Sequence, residues 1–93
     1  MSSMNRTEKL RHKIESTFAP VSCQIVDESA LHVGHAGAAS GGGHYKIHIV
    51  SAQFEGLNRL SRHRLVYDAV GDMMHAEIHA LAITAVAPSE IPQ

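Results

Sequence analysis

In HYKIHIVS, residues 44–51, the first six alternate, with Tyr45, Ile47 and Ile49 apolar and His44, Lys46 and His48 polar between them. Successive side chains of a strand point to opposite faces, so period two means an extended segment with one dry face and one wet face. Such a strand demands neighbouring strands and an apolar layer over its dry side. The segment VSCQIVDES, residues 21–29, repeats the alternation and places Val21, Cys23 and Ile25 inward. The two strands read as a hairpin. Their connection, ALHVGHAGAASGGG, is too long for a tight turn and has the composition of a loop that carries function. With Gly34, Gly37, Gly41, Gly42 and Gly43 it is expected to be the most mobile internal segment.

The covering layer comes from two helices. Asn5 with Glu8 forms a capping-box pattern, Leu10, Ile14 and Phe18 recur every four residues, and Pro20 ends the run. A second helix is predicted from Arg59 to Met74, capped by Asn58 or Ser61, with Val66, Val70, Met73 and Met74 beside Tyr67 as its apolar stripe. HAEIH, residues 75–79, is predicted as a short further helical turn, and ALAITAVAP, residues 80–88, as a last strand closed by Pro88. The order is α-β-β-α-(α)-β, an α+β layer sandwich. It forms one domain over residues 1–93, with a core of about 5–88 and a frayed tail at 89–93.

Several function classes lose their hardware. The net charge of −1 disfavours an unaided electrostatic grip on nucleic acid or anionic membrane. Cys23, the single cysteine, rules out an internal disulfide and a thiolate-only metal site, and its inward strand position makes it a core residue. No apolar run reaches the roughly 18 residues of a membrane span, and MSSMNRTEKLRHK lacks the apolar centre of a secretory signal, so a cytoplasmic location without membrane contact is expected. Neither a Ser-His-Asp grouping nor a phosphate-cradling G-x-x-x-x-G-K-[ST] loop is present, and HAEIH has Ala76 where zinc proteases need glutamate. A non-enzymatic role follows.

Histidine is the outlier, with eight residues. His32 and His35 could close on a metal, since neutral imidazole ligates zinc, copper and iron, or could simply be solvated. His75 and His79 could chelate from one helical face if the helix runs through both; otherwise His79 caps the turn into the final strand. Alternation turns His44, Lys46 and His48 to solvent, and His63 is placed against the stripe of the second helix. Arg59, Arg62 and Arg64 are basic, but Arg62 and Arg64 lie about 200° apart around a helix and make no single stripe.

Taken in order, DES at 27–29, GH at 34–35, GGGHYKIHIVS at 41–51, F-x-G at 54–56, RHRLVY at 62–67 and IHAL at 78–81 resemble the BolA family over about residues 5–88. The resemblance implies an α-β-β-α-β core like the type II KH domain, with a helix-turn-helix-like region after the second strand. It also implies pairing with a monothiol glutaredoxin around a 2Fe-2S cluster held by the glutaredoxin cysteine, a glutathione thiol and ligands of this chain. On that likeness His79 is the expected fixed ligand. The loop has no cysteine, so the histidine type applies, with His35 as the loop ligand and His32 as an additional candidate. Histidine in place of cysteine raises a cluster's potential.

The chain is then a non-enzymatic adaptor in iron-sulfur trafficking or iron and redox sensing, without cofactor when alone and compatible with a weak homodimer. The alternative is a DNA-binding transcriptional regulator using Arg59, Arg62 and Arg64. A third reading is a mononuclear zinc protein using His32, His35 and His79. RNA binding of KH type lacks its G-x-x-G loop.

Overall fold

The computed structural model describes residues 5–28, 43–74 and 77–91 and shows a mixed α+β fold. Helix α1 (Arg6–Phe18) starts at a complete capping box: the Asn5 carboxamide accepts the Glu8 N–H at 2.8 Å and the Glu8 carboxylate accepts the Asn5 N–H at 3.3 Å. Strands β1 (Ser22–Asp27) and β2 (Gly43–Val50) follow, then helix α2 (Arg59–Val70) and strand β3 (Ile78–Val86). The sheet order is β1-β2-β3. β2 is central, antiparallel to β1 and parallel to β3. A parallel neighbour requires a crossover, and α2 supplies it.

Both helices cover one face of the sheet. Tyr45, Ile47 and Ile49 project from β2 into Leu10, Ile14 and Phe18 of α1 and Val66 and Val70 of α2, and Phe54, Met73 and Ile78 complete the core. The Phe18 and Phe54 rings meet at 5.1 Å between centroids. The opposite face, carrying Lys46 and His48 of β2 with Gln24, Val26 and Thr84 of its neighbours, is exposed.

Four expectations are corrected. Val21 is 74% exposed, because it precedes β1 and serves the sheet only through its N–H, which donates to the Val50 carbonyl at 2.8 Å. Helix α2 stops at Val70 rather than Met74: a 3-10 turn at Gly71–Met73 takes over and still buries Met73. No helical turn carries His79, since β3 begins at Ile78, ahead of Ala80. Pairing with β2 supplies the backbone partners there, and Ile78 is buried in the core.

Past β3 the described residues continue through Glu90. Pro88–Glu90 form a 3-10 turn, the Glu90 carboxylate accepts the Ala87 N–H at 2.8 Å, and Ser89 donates its N–H and hydroxyl to Glu55 at 3.1 and 2.7 Å. The expected mobility of the glycine-rich loop lies outside the described residues.

Candidate functional site

The register between β2 and β3 slips where the histidines stand. Gly43 pairs with Ile78, but His44 pairs with Ala80, which leaves His79 as an extra residue in β3. A bulge of this kind re-aims a side chain that regular alternation would send elsewhere. Here it sets the His79 ring beside that of His44, with centroids 5.1 Å apart and planes inclined at 45°. His79 is exposed and His44 half-buried, with its Nε2 shielded from solvent. His44 is therefore not the solvated residue that alternation alone predicts.

The backbone around this pair is held from several sides. Glu28 donates its N–H to the His44 carbonyl at 2.7 Å, and Gly43 donates to the Glu77 carbonyl at 3.0 Å. The buried Tyr45 hydroxyl lies 3.1 Å from Arg6 Nε, which donates to it, and 3.1 Å from Thr7 Oγ1. Lys9 reaches Glu77 at 2.8 Å. Arg6 folds so closely over the start of β2 that a Cβ on Gly43 would stand 2.6 Å from Tyr45 Cε2 and 2.8 Å from Arg6 Nε. Only glycine fits there. Helix α1 thus pins both strand starts that flank the imidazoles.

The basic group on α2 has a different fate. Arg62 is buried, donating from Nε to the Leu57 carbonyl at 2.9 Å and from Nη1 to the Ala85 carbonyl at 3.0 Å. Its guanidinium also grips Glu90 with both Nη atoms, at 2.6 and 2.9 Å. The bidentate bond raises the Arg62 pKa and holds the Glu90 carboxyl down at about 2. Arg59 and Arg64 are exposed, so the expected trio is not brought together at one surface: Arg62 is consumed inside the fold.

His35 and His32, the loop candidates, and His75 lie outside the described residues, as does any contact they make. The helical i, i+4 pairing of His75 with His79 is not formed, because His79 is in a strand. His63 is half-buried on α2. Cys23 is half-buried against the core, where loss of solvent pushes its thiol pKa up, the environment of an inert cysteine rather than a thiolate. Among the described residues no three His, Cys, Asp or Glu side chains converge on one point. His44 is the residue that sequence reasoning missed: period two sends it to solvent, and only the bulge brings His79 to it.

Comparison with known proteins agrees with this fold. The family profile described as BolA-like protein matches residues 14–90. The chain belongs to the BolA-like family. It is 40% identical over 91 residues to the chloroplastic BOLA1 protein of Arabidopsis thaliana, covering 95% of this chain and 57% of that protein. Against the chloroplastic and mitochondrial SufE-like protein 1 of the same plant it is 36% identical over 92 residues, covering 94% of this chain and 25% of the relative. The chain thus spans little more than half of one of these relatives and a quarter of the other. A DNA-binding transcriptional regulator BolA of Escherichia coli is 37% identical over 76 residues, 82% of this chain and 70% of that one. Among solved structures, BolA1 from Arabidopsis thaliana superposes with a TM-score of 0.82 at 36% identity, covering 97% of this chain and 100% of the other. Among the described residues no helix is long and apolar enough to cross a membrane.

Proposed function

We propose that this BolA-like chain is a non-enzymatic adaptor that pairs with a monothiol glutaredoxin and shares a 2Fe-2S cluster with it and with glutathione. The observation that carries the reading is the exposed imidazole of His79, turned out of strand alternation by a bulge and held on a backbone pinned from α1. The donor chemistry fits such a group: nitrogen from this chain complements thiolates from the partner, as histidine and cysteine are combined on Rieske-type clusters. Cys23, half-buried and with its thiol pKa raised, is no competing ligand.

In this reading His79 is the fixed ligand, His35 the loop ligand and His32 its neighbour in reserve. The cluster, when bound, supplies one-electron chemistry and a unit that can be handed on. The chain's own part is to present neutral imidazoles in fixed positions and to contact the partner. Acid opposes ligation, because a protonated ring has no lone pair to donate. The cytoplasmic location expected from sequence belongs to the same proposal.

The test is reconstitution of the pair with glutaredoxin, glutathione, iron and sulfide, followed by visible absorption and circular dichroism. His79→Ala should remove the cluster signature or shorten its lifetime at least about tenfold, and His35→Ala should do less damage because His32 stands three residues away. An unchanged spectrum and lifetime in His79→Ala would overturn the assignment.

A second reading, a DNA-binding regulator, is favoured by the name of the E. coli relative. In this chain it would rest on Arg59 and Arg64, since Arg62 is occupied. Sequence-specific duplex binding at physiological salt, lost in an Arg59→Ala, Arg64→Ala double variant, would support it.

A further inference from the structure

We infer that the open face of the sheet carries a shallow site for a small phosphate monoester, built from Gln24, Lys46, His48 and Thr84. It is independent of the shared-cluster reading, which uses none of these residues. The strand register assembles the four. Gln24 on β1, His48 on β2 and Thr84 on β3 stand opposite one another in a single row across the sheet. Neighbouring strands lie about 4.8 Å apart, so the three side chains rise from adjacent points on one face. Lys46, two residues before His48, shares that face, and its four-carbon stem can lay the ammonium over the row. With Val26 and Ile47 the four line one open cavity of about 270 Å³. Among the described residues none of these four side chains has a hydrogen-bond or ion-pair partner, whereas Arg62 and Lys9 are spent within the fold.

The donors set the class of ligand. An ammonium, a carboxamide NH2, a hydroxyl and an imidazole N–H all donate, and among the described residues no carboxylate lines the cavity. Asp27, at the end of β1, pairs with Tyr45 and so stands on the opposite face. Such a lining rejects a cation and receives an acceptor-rich anion. A phosphate monoester brings three acceptor oxygens and a charge of about −1.5 to −2 at neutral pH, and lysine meets it as a point charge. A carboxylate has two oxygens in one plane and engages donors rising from three strands less fully. Val26, 51% exposed and opposite Lys46, gives the organic part of the ester an apolar surface. A nucleic-acid strand needs a track of basic side chains, and this cavity has one lysine.

Phenyl phosphate is titrated into the full chain at neutral pH and followed by 15N–1H amide spectra and isothermal calorimetry, with benzoate and a short oligothymidylate in parallel. The variants are Lys46→Met, Thr84→Val and, away from the site, Arg59→Ala, each checked for native far-UV circular dichroism. The amides of Gln24, Lys46, His48 and Thr84 should shift together. Lys46→Met should weaken phenyl phosphate at least about tenfold and Thr84→Val at least about threefold, while Arg59→Ala stays within about twofold of the parent. Benzoate should bind at least about fivefold more weakly than phenyl phosphate. No binding at about 10 mM phenyl phosphate, shifts confined to other residues, affinity unchanged in Lys46→Met, or equal or tighter binding of benzoate or the oligothymidylate would each overturn the inference. Glutaredoxin and iron are absent throughout, so these failures leave the shared-cluster reading standing, and failure of cluster assembly leaves this one standing.

Discussion

At one end of the sheet Arg62 spends its donors on the protein itself: two backbone carbonyls and both oxygens of Glu90, in a buried position. At the other end His44 and His79 stand side by side, their backbone anchored and the His79 ring turned outward. In sequence both ends carry side chains suited to grip a ligand, although only the fold brings His44 to His79. The difference is whether that capacity has been used up by folding. A guanidinium with four internal bonds closes the C-terminal turn onto α2 and has little left for a phosphate. An imidazole re-aimed by a bulge costs the sheet one regular pairing and gains the core nothing, which is the pattern of a residue placed for something other than stability.

The comparison breaks most readily at Arg62. Arg62→Ala removes the hydrogen bonds that lower the Glu90 pKa and strands the Leu57 and Ala85 carbonyls, so it should lower the melting temperature more than Gly43→Ala or any substitution at an exposed position. Arg59→Ala and Arg64→Ala, at exposed positions, should leave it nearly unchanged. If thermal unfolding shows Arg62→Ala to be as stable as Arg64→Ala, the internal role assigned to Arg62 is wrong.

Next in size is Gly43→Ala. The new Cβ meets Tyr45 Cε2 at 2.6 Å and Arg6 Nε at 2.8 Å, so the clasp between α1 and β2 must open. Overpacking of this kind costs about 1–3 kcal/mol, measurable by denaturant titration. The same substitution should shorten the lifetime of the reconstituted cluster, because it displaces the strand start that pairs with Ile78, next to His79. His79→Asn, at an exposed position, should instead change stability by less than about 0.5 kcal/mol. A large stability loss in His79→Asn would make that imidazole a packing feature.

The two ends also separate by pH. The Arg62 bond depresses the Glu90 pKa from the ordinary 4.5 to about 2, so its contribution is complete above about 4.5 and is lost as pH falls towards 2. Replacing Glu90 with glutamine should lower stability at neutral pH and flatten its decline between those values. Equal slopes for the two proteins in acid unfolding curves would remove Glu90 as the titrating group.

Much of this architecture was legible in the residues. The capping box at Asn5 and Glu8, the four-residue spacing of Leu10, Ile14 and Phe18, and the alternation of HYKIHIVS are local signals, and the structure has all three. What sequence could not carry was register. A bulge is decided by how β3 meets β2, and it changes His79 from a residue of a predicted helical turn into the neighbour of His44. Long-range pairing also hid the fate of Arg62, whose partner is 28 residues away in a segment whose proline and polar composition reads as a frayed tail. Local periodicity found the elements; tertiary contacts decided which charged groups were already spent.

The smallest expected effect concerns Lys9. Its bond to Glu77, at 2.8 Å, joins α1 to the residue before β3, but the two side chains remain 42% and 32% exposed. A pair so open to solvent is worth about 0.2–1 kcal/mol and is weakened by salt. Lys9→Met should therefore cost no more than that in denaturant titration, and less still at high ionic strength. The Glu77 carbonyl, bonded to the Gly43 N–H, holds the two strands together without the side-chain pair. The lifetime of the reconstituted cluster in Lys9→Met should accordingly fall by less than about threefold, whereas Gly43→Ala, which forces the backbone itself, should shorten it further. If Lys9→Met proves the more damaging of the two, the imidazoles take their alignment from an ion pair on the surface, and the rigid strand starts are not what holds them.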